Sequence, residues 1–563
     1  MLLPLLAALM VTARPDSTRF ALALRATVDA PAVSSLRWGT LGDVREGLRG
    51  AYDRHGWRPL WSSGGNLTPA AKAVLRELRE SRDRGLDPDD YDATWLEAEA
   101  GNLGGRSDSL RAVWDLALSA ATARYALALD RGRVDPRALH ATLLLARDPF
   151  DIPGTLVSLA ASPNPVPALR ALEPPFYHYR RLVSVLQTYR LLAADSSLAA
   201  LPDIPRGLRP GAAYPGAPKL RRLLTLLGDL TDSSAVNRAV DGDTLYDDAL
   251  AKAIKHFQRR QGFGPDGIIG DSTRLRLTRT FASQVRQIEL TLERWRWLPR
   301  VFSAPPIIVN IPGFRLYALR GPTDAESEML TMDVVVGNAV KHDTPLLAVD
   351  LVAVQFQPPW NVPTSIQGEE IRPKAIADSG YLAKEQYELL VGGKVVVPTD
   401  SLIRKIGYGV AVRQKPGTLN SLGRVKFVMP NSSDIYLHDT PARALFARVR
   451  RDFSHGCIRV SLPATLAAFL LRDQPKWPSA TVDSAMAGDS TKQVRLTSRI
   501  PVFLVYQTVE VRESGEAFFY RDIYGHDRAL DRALRKGYPY VKEPTGLSLS
   551  TAPRIPPSGP PRR

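Results

Sequence analysis

Cysteine is nearly absent: 563 residues hold one, Cys457. A lone thiol excludes an intramolecular disulfide, so no covalent staple supports this chain. Three fates remain for it: an inert buried filler, a pair with another chain, or chemical use. Long apolar runs are lacking too. Nothing after the first residues approaches ~18 uninterrupted apolar side chains, the length of a membrane span. No stretch of Lys and Arg is dense enough to serve as a nucleic-acid arm, although the net charge is +16. That charge is mostly arginine, spread along an Ala-, Leu- and Pro-rich background. It reads first as composition bias, and second as attraction to an anionic polymer or membrane surface. No ATP-binding motif appears.

What is present is a long chain with the composition of a soluble globular protein, 44% hydrophobic and 23% charged. Its length asks for about three domains. The opening MLLPLLAALMVTA (1–13) has the apolar length of a signal peptide, with Val11-x-Ala13 as a small-residue cleavage site. It lacks a basic flank, so an uncleaved anchor that keeps the protein near a membrane is the second reading. Residues 30–213 carry helical periodicity, with Thr68-Pro69 as a cap and first-turn proline. Residues 278–300 are expected to return to this helical part. Residues 214–278 predict three short helices. Within them, ALAKAIKHFQRRQGFGPDGIIGDST (249–273) resembles the three-helix peptidoglycan-binding module, whose spaced glycines shape the loop between helices. From about residue 305 to 525 the period becomes that of strands, interrupted at 366–410 by a mixed, more helical insertion. The Pro/Ser-rich end, 543–563, predicts disorder.

Chemistry concentrates around the thiol. His438 ends a short alternating strand in YLHDTP, and fifteen residues separate it from Ser454-His455-Gly456-Cys457. A sulfur nucleophile needs a base within hydrogen-bond reach and donors for the developing oxyanion. An imidazole and a glycine-containing turn supply those parts, so the inert-filler reading gives way. A metal site does not fit. Cys457 and His455 stand two residues apart on one turn, which matches no usual zinc frame, and there is no second cysteine.

The motif His438…Ser454-His455-Gly456-Cys457-Ile458-Arg459 resembles the L,D-transpeptidase catalytic domain. Arg459 stands where many members have Asn, which points to the large scaffold-bearing periplasmic members. ERWRWLPR (293–300), PPWNVP (358–363), LGRVKFVMP (422–430), YLHDTP (436–441) and RDIYGHD (521–527) resemble them too. The fold class implied is multidomain α+β. It comprises a helical scaffold domain, a small three-helix peptidoglycan-binding domain, and a β-rich catalytic domain whose 366–410 insertion acts as a mobile lid. The resemblance implies Cys457 as nucleophile and His438 as general base, its tautomer set by a carbonyl placed at Asp439. It also implies an oxyanion turn at Gly456 and Cys457 with His455 in support. Ser454, Arg459, Tyr436 and Trp360 are substrate-binding candidates, Trp360 being first a packing residue. The implied reaction is acyl transfer between tetrapeptide stems that gives 3→3 crosslinks in the cell envelope, without metal or cofactor. Water, a D-amino acid or a lipoprotein lysine are the other acceptors considered. A non-catalytic wall-binding scaffold is the rival reading. The expected partners are peptidoglycan stems and glycan strands, with no nucleic acid. The oligomeric state is left open.

Overall fold

A computed structural model describes residues 15–140, 142–143, 148–195, 201–231, 243–321 and 329–538. The expected export segment (1–13) and the Pro/Ser-rich end (543–563) lie outside the described residues. No helix among those described is long and apolar enough to cross a membrane.

The N-terminal part is helical and built around Asp108–Arg131. Ser107 caps that helix by accepting from the Leu110 N–H, and Gly132 follows its end at φ +77°, a conformation costly to any residue with a Cβ. Thr68 caps Pro69–Arg79 in the same manner, accepting from the Ala71 N–H at 3.1 Å. Asp115 is buried inside this bundle. It accepts from the backbone of Leu60 and Trp61 and from the Tyr52 hydroxyl, and burial pushes its carboxyl up to about 6.

The three-helix unit comprises Ala217–Leu226, Asp248–Arg260 and Asp271–Leu277. Gln258 ties its Gly-rich loop. It donates to Asp266 and the Ile268 carbonyl and accepts from the Gly267 N–H. Gly267 sits at φ +76°. The unit is joined to the C-terminal part by the buried Arg260, which pairs with Asp229 and donates to the Ala517 carbonyl.

The helix Phe281–Arg296 packs on Tyr177–Ala194 and faces the β-rich part as well. Gln287 donates to the carbonyls of Thr508 and Tyr520 at 3.0 Å. Glu293, fully buried, accepts from the N–H groups of Arg133 and Val134 and pairs with Arg133 and Arg296. The tryptophans of ERWRW are buried at this seam. Trp295 stacks on His178, and Trp297 packs against His140.

The C-terminal part is a nine-stranded sheet in the order 452–454, 330–337, 458–460, 437–438, 425–428, 347–356, 492–505, 307–310, 315–318. An additional pairing of Arg315–Ala318 with Leu330–Gly337 closes the sheet on itself. The helix His526–Lys536 continues past the expected end at 525 and buries Leu530 and Leu534 against the barrel core.

The insertion differs from its expectation in extent, and combines short helices at 364–377, 381–384 and 400–404 with strands. It holds its own four-stranded antiparallel sheet and its own small core of Ile366, Leu389, Ile406 and Val412. Its ends lie at Trp360 and Gln414 rather than 366 and 410, because Trp360–Asn361 pairs with Arg413–Gln414. The central hairpin Tyr387–Val391/Lys394–Val396 turns on Gly392 and Gly393, both at positive φ.

Candidate active site

Two short strands deliver the site. Leu437–His438 pairs in parallel with Ile458–Val460, placing Leu437 opposite Ile458 and His438 opposite Arg459. On its other side it pairs antiparallel with Val425–Val428, placing Lys426 opposite His438. Successive strand side chains alternate faces. Leu437, Ile458, Val425 and Phe427 go fully into the barrel core. Tyr436, His438, Cys457, Arg459 and Lys426 therefore share the opposite face.

The turn before Cys457 is braced from within. The Ser454 hydroxyl donates to the Cys457 carbonyl at 2.5 Å and accepts from the Gly456 N–H at 3.2 Å. Gly456 adopts φ +111°, and a Cβ there would lie 3.3 Å from the Ile435 side chain, so glycine is required. The Thr344 hydroxyl donates to the Gly456 carbonyl at 2.7 Å and accepts from the Gly337 N–H at 2.8 Å. Tyr524, from the RDIYGHD stretch, donates to the Gly337 carbonyl at 2.7 Å and completes the brace. The sequence had placed the Gly456 N–H among the oxyanion donors. In this conformation it is engaged by Ser454.

His438 is buried and its Nδ1–H donates to the Asp439 carbonyl at 2.5 Å, which leaves Nε2 as the ring's lone-pair nitrogen. Burial, with Arg459 adding repulsion, pulls its pKa down to about 3, so the imidazole is neutral. The Asp439 carboxylate accepts from the Arg424 N–H and pairs with Arg443.

Cys457 is half-buried. Its thiol donates to the Asp434 carbonyl at 3.6 Å, and burial pushes its pKa up. Lys426 Nζ sits 3.7 Å from the Tyr436 ring centre. Burial pulls the pKa of Lys426 and of Arg459 down. The Tyr436 side chain lies against both Cys457 and Trp360. Trp360, half-buried, is also part of the insertion's packing, so one face of the insertion reaches the thiol. A second contact does the same: His455 Nε2 meets Glu370 Oε1 at 2.5 Å, and its ring lies 4.9 Å from that of His342.

Sequence reasoning had not singled out Lys426, Thr344, Glu370 or Asp434. Lys426 was within reach of it, since it alternates with Val425 and Phe427 in LGRVKFVMP. Glu370 carried no local signal.

Known proteins give the same outline. Residues 46–186 match a scaffold domain, residues 218–277 a "Putative peptidoglycan binding domain", and residues 305–483 an L,D-transpeptidase catalytic domain. A Haemophilus influenzae protein described as "Putative L,D-transpeptidase" is 34% identical over 253 residues, covering 44% of this chain. The chain spans about half the length of that relative, 49%. Residues 305–483 are thus similar to an L,D-transpeptidase catalytic domain, in one chain with regions similar to a scaffold domain and a peptidoglycan-binding domain.

Proposed function

We propose that the protein forms 3→3 crosslinks in peptidoglycan by cysteine acyl transfer, with Cys457 as nucleophile and His438 as general base. The observation that carries this reading is the strand pairing. It sets thiol and imidazole on one face of adjacent strands, with the imidazole fixed on the Asp439 carbonyl as an Nε2 acceptor.

The resting pair is neutral, so attack and proton transfer go together. The sulfur turns from the Asp434 carbonyl toward His438, gives its proton to Nε2 and bonds to the carbonyl carbon after the third stem residue. The Cys457 N–H donates to the oxyanion. Collapse breaks the C–N bond, and the terminal D-amino acid leaves with the proton from His438. The thioester then meets an amine of a second stem. His438 takes the amine proton and returns it to sulfur as the new amide forms. One amide is broken and one made, so no energy source is required. Lys426 and Arg459 flank the thiol on the same face and suit the carboxylates of the donor stem. Ser454 braces the turn, and His455 relates the turn to the insertion through Glu370. The substrate places this activity outside the cytoplasm, in the periplasm.

The test is incubation of the purified protein with disaccharide-tetrapeptides, with products read by mass. Crosslinked dimer supports the proposal, and Cys457→Ala should abolish it. Trimmed tripeptide alone would reassign the acceptor to water. Stems exchanged for a D-amino acid would reassign it to that amine. Dimer formed by Cys457→Ala would refute the thiol's role.

A further inference from the structure

A groove of about 740 Å³ lies between the Gly-rich loop of the peptidoglycan-binding domain and the barrel wall. Six arginines line it: Arg259, Arg315, Arg450, Arg451, Arg512 and Arg521. Three carboxylates line it as well, and each has a partner already. Asp266 holds Gln258 and the Ile268 N–H. Asp271 is held by Arg206, which is not among the lining residues. Asp333 takes Arg451 and Arg315. The field in the groove is therefore positive.

Carboxylates hold some of these guanidiniums, Asp452 pairing with Arg450, and aromatic rings lie against others. Phe263 lies between Arg521 at 4.9 Å and Arg276 at 5.9 Å. Phe518 carries Arg512 at 4.9 Å. Such stacking fixes a cation without neutralising it. The Nε atoms of Arg315 and Arg451 are buried with no hydrogen-bond partner among the described residues. Behind the groove, burial and the neighbouring Arg279 and Arg521 pull Arg276 down to about 10. Crowded cations of this kind suit an anionic ligand.

Volume and position narrow the ligand. A groove in the small-ligand range of about 300–1,000 Å³ takes a peptide of a few residues and excludes a nucleic-acid duplex. Arg450 and Arg451 directly precede the strand Asp452–Ser454, which leads into the turn at Cys457. Six residues of extended chain put the thiol at most about 20 Å from Arg451. That is within reach of a neighbouring stem on the same glycan strand.

We propose that this interdomain groove binds the carboxylate-bearing peptide stems of peptidoglycan and holds one stem while another meets the thiol. The proposal rests on the substrate reading above, but its test does not need turnover. Full-length Cys457→Ala protein is titrated with three probes: glycan chains bearing stems, the same chains stripped of stems by an amidase, and a DNA duplex. Stem-bearing chains should bind about tenfold more tightly than stripped ones, and their affinity should weaken as salt shortens the screening length. The double variant Arg259→Gln/Arg521→Gln, both sites exposed, should lose that tenfold preference, and Arg521→Lys should keep it. Equal binding of stripped chains overturns the proposal, as does unchanged binding by the double variant at an unchanged melting temperature. Tighter binding of DNA overturns it in favour of phosphate recognition. Because the protein tested has no thiol, failure here leaves the acyl-transfer assay unaffected, and the reverse also holds.

Discussion

Acidification should unfasten the molecule, chiefly at the seam between its helical part and its barrel. Four histidines are held neutral by burial. His140, His178 and His438 are pulled down to about 3, and His526 to about 4, from an ordinary 6.5. Three of them lie at the seam. His178 stacks on Trp295 and meets Tyr317. His140 meets Trp297 and His526, and His526 meets Tyr506. His140 Nε2, His178 Nδ1 and His526 Nδ1 have no hydrogen-bond partner among the described residues. Since the folded values lie below the unfolded one, stability is complete above about 6.5 and is lost as the pH falls toward the folded values. At about pH 5 each ring costs about 2 kcal/mol, and the four together about 8 kcal/mol. Asp115, raised to about 6, works the other way and returns about 1 kcal/mol. The net loss rivals the whole stability of an ordinary domain, about 5–15 kcal/mol. Circular dichroism melts at about pH 7.5 and about pH 5 should differ by more than about 10 °C. His178→Phe should keep the ring stack and recover about a quarter of the difference. Melting temperatures within about 2 °C of each other would refute the reasoning.

Alkylation of Cys457 by iodoacetamide should accelerate close to tenfold per pH unit from about pH 6 to about pH 9, because the raised thiol ionises only as pH rises. A rate already level below about pH 7 would mean a resting thiolate–imidazolium pair instead. Glu293→Ala should cost about 3–5 kcal/mol, seen as a lowered urea midpoint, because it leaves the buried Arg296 uncompensated. Gly456→Ala should lower acyl transfer at least about tenfold and cost about 1–3 kcal/mol, since φ +111° and the nearby Ile435 both resist a Cβ. A melting curve and the mass assay on one preparation check both effects.

Local features were legible where their cause is local. Thr68 caps a helix because its hydroxyl is placed to accept, and the Gly-rich loop after Arg260 follows from spaced glycines. Residue types and spacing pointed to Cys457 and His438, which the structure sets on one face of neighbouring strands. The parallel pairing of those two short strands was not visible, because neither strand states its partner. The insertion's short helices break the strand pattern around them, but the small sheet they pack on was not read from the sequence. Yet YELLVGGKVVV holds a two-glycine hairpin signal flanked by β-branched residues, which a closer reading of turns would have caught. The Glu370–His455 contact spans 85 residues and depends on how the insertion folds back, which no local pattern encodes. Lys426 escaped because its strand was read as a strand alone, without asking which face its polar member joins.

The closed barrel has a consequence for how such a chain tolerates change. Backbone ladders in neighbouring strands hold the imidazole and the sulfur in step. The segment after Asp439, residues 440–451, loops out before the chain returns as the strand Asp452–Ser454. Its length is a matter of slack, much as a rope between two nailed boards does not decide how far apart the nails are. Residues added or removed around Arg443–Ala447 should leave thiol and imidazole where they were, whereas a one-residue slip of either strand would turn one of them into the core.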